Sequence, residues 1–142
     1  TNHVIVNAIL NTKYQEAEAN GIVFVLRISD LSGLRIEDED IVTILSNLLN
    51  NAIEACIKCD IGRRVLKLKF VIEDGMIKIG VRNTFNNPLR YENGEIKSTK
   101  LISAEEHGVG IKNIIEIIEK YEGSYVIKNN DHEFYFSIII PN

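Results

Sequence analysis

Apolar and polar positions change rhythm along the chain, and each change marks an element. Val4, Ala8, Ile9 and Tyr14 fall at helical spacing from the first residues. Ala19-Asn20-Gly21 stops that helix, with glycine in the left-handed position such stops favour. IVFVLRI (22–28) reads as a strand, and SDLSGLRIEDED (29–40) as a polar connection. Asp38 or Asp40 is expected to cap a second helix that runs to about Cys59. Residues 63–74 and 76–83 alternate apolar and polar about Asp74-Gly75 and predict a hairpin. Residues 84–107 hold Asn, Pro, Gly and charges and predict a long loop, of the kind that forms lids or binding loops. A helix over 108–121 opens at glycines, and SYVIKNNDHEFYFSIIIP (124–141) closes as a second hairpin about Asn129-Asn130-Asp131. Helices segregated from hairpins predict a two-layer α/β sandwich: a mixed, mostly antiparallel sheet covered on one face by helices.

The length, 142 residues, suits one domain with a real core. Helical spacing at the very start leads us to expect that residues 1–20 end a helix arriving from another domain, with the domain proper over 21–142. The formal charge of -4 argues against a general nucleic-acid binder. It also means that an anionic ligand must be held by local features. No apolar run reaches the length of a membrane span, and residues 1–20 lack the basic start and apolar block of a signal peptide. Cys56 and Cys59 form a single CxxC at the end of a helix, without the second pair that a structural zinc site needs; they read as reduced thiols.

The second helix poses the chemical question. Ile41, Leu45, Leu48, Ala52 and Cys56 share one stripe, which is the core face. Asn47, Asn51, Glu54 and Lys58 share another. Asparagine is a mediocre helix former because its amide competes for the backbone. Two of them one turn apart make either a solvated face or an amide ridge facing a cleft, where an amide oxygen can ligate a hard cation such as Mg²⁺. Far downstream, Gly108 and Gly110 open a helix whose free N–H groups and dipole suit phosphate. The match to a dinucleotide fingerprint is poor, since Asn113 stands at the third glycine position and no strand precedes it.

NLLNNAIEA (47–55), VRNTFNNP (81–88) and HGVGIKNI (107–114) stand in the order and at the spacing of the N box and two glycine boxes of the GHKL (Bergerat-fold) ATPases. Over about residues 22–142 the chain resembles the ATP-binding domain of a sensor histidine kinase, most closely the peptide-sensing accessory gene regulator type. The resemblance implies ATP and Mg²⁺ as ligands. Asn51 would ligate the Mg²⁺, and Asn47 would line the phosphate pocket at the catalytic position. Gly108 and Gly110 would open the phosphate-binding helix. Residues 84–107 would form the lid, with Lys100 as a phosphate contact. It further implies transfer of the γ-phosphoryl group to a histidine on a dimerisation domain, and a response regulator downstream. The whole protein would be a membrane-anchored homodimer in a bacterium, with this domain in the cytoplasm and no nucleic-acid partner.

The boxes depart from the family in two places. Where relatives carry Asp followed by glycines, this chain has Asn83, then Thr84, Phe85, Asn86 and Asn87. The Asp accepts from the adenine amino group; a neutral amide should accept about half as strongly, and could also donate. Weaker nucleotide affinity and weaker rejection of guanine are therefore expected. Secondly, His3, His107 and His132 all lack the setting of a phosphoacceptor. Hydrolytic relatives place a Glu where this chain has Asn47, which cannot act as a base, so a kinase is expected over an ATPase. Two alternatives are a GHKL serine kinase of the anti-sigma type and a non-catalytic nucleotide- or partner-binding module.

Overall fold

The computed structural model describes residues 3–86, 91–92, 95–96 and 109–142. Its elements are α1 (Val4–Ala19), β1 (Val23–Ile28), α2 (Asp38–Ile57), β2 (Val65–Glu73) and β3 (Met76–Thr84). There follow β4 (Tyr91–Glu92), β5 (Glu95–Ile96), α3 (Val109–Lys120), β6 (Ser124–Asn129) and β7 (Glu133–Pro141). Five strands form one sheet in the order β1-β2-β3-β7-β6; β4 and β5 pair separately. β1 runs parallel to β2 and every other pair in the main sheet is antiparallel. The mixed, mostly antiparallel main sheet and the order of its elements are as predicted; within 84–107, expected to be a loop, β4 and β5 form a short pair, and the rest of the expected lid lies largely outside the described residues.

The turn chemistry explains the first hairpin. Asp74 and Gly75 both take positive φ, 52° and 74°. That is the two-residue turn whose twist matches the strands it joins, and Asp-Gly is among the pairs that adopt it with least strain. Its register sets Glu73 opposite Met76 and carries Leu66 opposite Asn83 at the far end. In the second hairpin the Asn130 side-chain oxygen accepts from the His132 and Glu133 amides at 2.8 and 2.7 Å, a local side-chain turn.

Alternation along the strands separates two faces. Leu66, Leu68, Phe70, Ile77, Ile79, Val81, Phe134, Phe136, Ile138 and Ile140 are buried on the inner face. α2 packs there on β2 and β3, and α3 on β6 and β7. The α2 stripe expected from periodicity (Ile41, Leu45, Leu48, Ala52, Cys56) is buried, joined by Ile44, Leu49 and Ile53. On the outer face Lys67 stands opposite Arg82, and Arg27 opposite Lys69. Like charges directly opposed are unfavourable, so this face belongs in water. The Arg82 and Lys128 charges each lie 5.3 Å from the centre of the Tyr135 ring, which offsets part of the repulsion.

The helix expected from Val4 onward is present as α1, and two expectations about α2, its cap and its end, need correction. α1 buries Val6, Leu10 and Ala17. Val4 and Tyr14 are 80% and 45% exposed. The sequence carries two apolar stripes there, and contact with α2 and β1 selects one of them. α2 is preceded by Glu37, which makes no side-chain cap, and it ends at Ile57. Asp38, Glu39 and Asp40 fill its first turn, where the helix dipole favours them. Asp40 instead ties the two helices together. Its carboxylate accepts from Lys120 Nζ at 2.8 Å and from the Tyr121 hydroxyl at 2.5 Å, while that hydroxyl accepts from the Glu37 amide at 3.2 Å.

The bond from Lys120, then that from Tyr121, holds the Asp40 carboxyl below its ordinary range. Because the folded value lies below the unfolded one, this stabilisation is complete above about pH 4 and is lost as pH falls through the folded value. Asp40→Asn should therefore be less stable than wild type by about 1 kcal/mol at pH 6. The difference should shrink below about pH 4, read from urea midpoints across pH.

Candidate functional site

α2 has two jobs along one helix. Its core stripe anchors it to the sheet, and its adjoining face looks across to the start of α3. Between them opens a cavity with about 440 Å³ of empty space, part of it open to solvent. It is lined by Leu48, Asn51, Ala52 and Ala55 of α2, Val81 and Asn83 of β3, Phe85, Ile111 of α3, and Phe134 and Phe136 of β7. Three phenyl rings and aliphatic walls interrupted by two amides suit a flat, mostly apolar ring carrying a few polar atoms.

Asn83 projects from the inner face of β3, between Leu66 and Phe134 in the register. It is 2% exposed, and it is the buried polar side chain of the described residues. Its amide nitrogen donates to the Thr84 carbonyl at 3.0 Å, which leaves its oxygen for an incoming donor. Asn51 has a buried amide nitrogen without a hydrogen-bond partner among the described residues. A buried donor left unpaired is unfavourable by about 1–3 kcal/mol, the mark of a group held ready for a ligand.

Asn47, one turn earlier, donates its amide nitrogen to the Thr43 carbonyl at 2.8 Å. Its oxygen is thereby turned toward α3. A Cβ placed on Gly110 would lie 2.9 Å from that oxygen, so a side chain at 110 would displace the Asn47 amide. The structure thus brings Asn47, Asn51, Asn83 and Gly110 to one region. Lys100 and Gly108 lie outside the described residues. Glu54 and Lys58, on the same face as the asparagines in sequence, are exposed and do not line the cavity.

Among the described residues no group of three or more His, Cys, Asp or Glu could hold a metal ion. The donors present still fit Mg²⁺ in one way. This ion is commonly held by one or two protein oxygens together with water and substrate phosphates, and needs no protein cage. The Asn51 amide oxygen can supply such a ligand, leaving the unpaired nitrogen to donate to a phosphate oxygen. α3 carries no acidic residue in its first turn to compete for an anion. Cys56 and Cys59 are free; burial pushes the Cys56 thiol up, which leaves it inert.

Residues 36–141 match the GHKL domain family, and the chain belongs to that family. Membership implies nucleotide binding. Over 96% of its length the chain is 29% identical to the sensor histidine kinase DpiB of Escherichia coli, and it spans 26% of that protein. Its fold is that of the catalytic domain of histidine kinase ThkA in a nucleotide-free form, with a TM-score of 0.70 at 20% identity over 96% of this chain and 90% of that one. The Acinetobacter baumannii histidine kinase AdeS gives 0.69 at 16% identity, over 97% of this chain and 63% of that one. No described helix is long and apolar enough to cross a membrane.

Sequence reasoning missed Thr43 and Thr84, whose carbonyls orient the amides, and the lining phenylalanines. The alternation in EFYFSIII does put Phe134 and Phe136 on one face of β7. Only the strand register puts Phe134 beside Asn83.

Gly110→Ala tests the close approach of α2 and α3. Alanine favours a helix over glycine by about 1 kcal/mol. Here that gain should be offset, because the Asn47 amide must turn away and give up its bond to the Thr43 carbonyl, as read by thermal unfolding. Asn51→Leu, which removes the orphaned donor, should leave the nucleotide-free protein as stable as wild type or stabilise it by about 1 kcal/mol.

Proposed function

We propose that this chain is the ATP-binding catalytic domain of a two-component sensor histidine kinase. It transfers the γ-phosphoryl group of ATP to a histidine on a dimerisation domain, from which α1 would lead in, and a response regulator acts downstream. The whole protein would be a membrane-anchored bacterial homodimer with this domain in the cytoplasm. The observation that carries the reading is the Asn51 amide nitrogen, unpaired among the described residues and buried by a cavity between α2 and the glycine-bearing start of α3, in a chain of the GHKL family. The sensor-kinase relative adds support.

The residues divide the work by position. The apolar cavity takes the adenine ring, with the Asn83 oxygen as acceptor for its amino group. Asn51, with the start of α3, receives the phosphates, and Gly110 lets the α3 backbone approach them. Mg²⁺, when bound through Asn51, neutralises charge on the phosphates. Asn47 holds no proton-accepting group, so no side chain at that position can activate water. An imidazole acceptor carries its own lone pair, so positioning and charge neutralisation are what the protein must supply. Lys100 and Gly108 complete the phosphate site in this reading.

His3 is occupied structurally: its Nδ1 accepts from the Val6 amide at 3.2 Å, capping α1, and its Nε2 lies 3.7 Å from Asp38. That setting is unlike a phosphoacceptor, and His132 sits exposed at the second hairpin turn.

Asn51→Ala should abolish Mg²⁺-dependent ATP binding in calorimetry; unchanged binding would remove Asn51 from the site. With labelled ATP, the chain alone should neither turn over ATP appreciably nor label itself. Label should appear on the histidine of a dimerisation hairpin joined ahead of α1. Label on serine of a partner would favour the anti-sigma type instead, and no transfer at all would favour a binding module.

A further inference from the structure

An asparagine in place of a carboxylate faces the base with an ambiguous group, since an amide can accept from adenine or, turned over, donate to guanine. We propose that Thr84 resolves the ambiguity: its carbonyl holds the Asn83 amide in one orientation, so that Asn83 offers the base an acceptor only and selects adenine over guanine. This deepens the reading above, in which Asn83 meets the base, and rests on it.

The geometry of Thr84 leaves its carbonyl little freedom. The peptide group that carries the Thr84 oxygen also carries the Phe85 N–H, and that N–H donates to the His132 carbonyl at 3.0 Å. The Thr84 hydroxyl accepts from the Val65 amide at 3.1 Å, tying the residue to β2. On the other side Thr84 pairs with Glu133 of β7. Cys56 Sγ packs 3.8 Å from the carbonyl oxygen and 3.7 Å from the hydroxyl. A carbonyl fixed from three directions receives the Asn83 amide nitrogen at 3.0 Å. Turning that amide over would break the bond and set two oxygens against each other in a buried place.

Guanine carries a carbonyl oxygen where adenine carries its amino group, so guanine would meet the Asn83 oxygen acceptor to acceptor. A site with a buried polar group left unpaired rejects the wrong ligand strongly. The neutral acceptor still binds less tightly than a carboxylate would. Weak affinity and retained selectivity then coexist, contrary to the relaxed selectivity expected from the amide alone. Thr84 acts here as a positioning residue and does not itself touch the base.

The test is calorimetric titration of ATP and GTP, at fixed Mg²⁺, into wild type, Thr84→Ser and Thr84→Val. Wild type should prefer ATP by about tenfold or more, and Thr84→Ser, which keeps the hydroxyl, should match it. Thr84→Val should narrow the preference to roughly a third or less of that in wild type, as the tie to Val65 is lost. A wild-type preference under about tenfold, or an unchanged ratio in Thr84→Val, overturns the proposal. Binding of neither nucleotide by wild type overturns the underlying reading and the proposal with it. Should Thr84→Val not fold, the Asn83 side-chain amide protons of nucleotide-free wild type decide by NMR. Slow exchange with water supports the anchored orientation, and fast exchange overturns it.

Discussion

The site depends on the seating of α2 between the sheet and α3. One stripe of that helix is buried against β2 and β3, which fixes its rotation. The rotation in turn fixes where Asn47 and Asn51 point, because side chains one turn apart lie above one another. Asn47 then comes so near α3 that only a glycine fits at 110 without displacing it. The Asp40 contacts to Lys120 and Tyr121 hold the opposite ends of the same two helices. The cavity is thus framed by a hydrophobic seat, a steric stop and a polar clasp, each set by different residues.

Among the described residues the polar interior is sparse, and Asn51 and Asn83 lie where chemistry is expected. Asn83 is buried on an inner face whose other strand positions are aliphatic or aromatic. Asn51 leaves a donor unpaired among the described residues, a loss of stability that folding alone does not explain. Asn47 and Asn83 differ from it in that each spends its amide nitrogen on a nearby backbone carbonyl. Their oxygens are left outward-facing, so a pair of chemically ambiguous side chains becomes a pair of oriented acceptors. Second contacts of this kind matter as much as residue type, because an amide reads its ligand by orientation.

The two faces of the sheet divide in the same way. Inner positions make one continuous core with the helices, and outer positions oppose cation to cation across neighbouring strands. That charge pattern keeps the outer face uncovered and helps explain why the sandwich has two layers.

Much of this was legible in the chain itself. Hydrophobic periodicity gave the order of elements, and Asp74-Gly75 marked its hairpin, because both depend on local geometry. The amide ridge of α2 and the glycines before the last helix were visible for the same reason, and their spacing pointed to the family that residues 36–141 match. The buried stripe of α1 was not legible, since two stripes were apolar enough and only contact with α2 and β1 chose between them. Nor were the acceptor role of Asn83 or the part played by Thr84. Those depend on a register that sets β3 between β2 and β7, and on a Thr84 hydroxyl and a Phe85 N–H whose partners, Val65 and His132, lie 19 and 47 residues away. Sequence determines which side chains can do chemistry; long-range pairing decides which way they face, because orientation is set by neighbours the local chain does not contain.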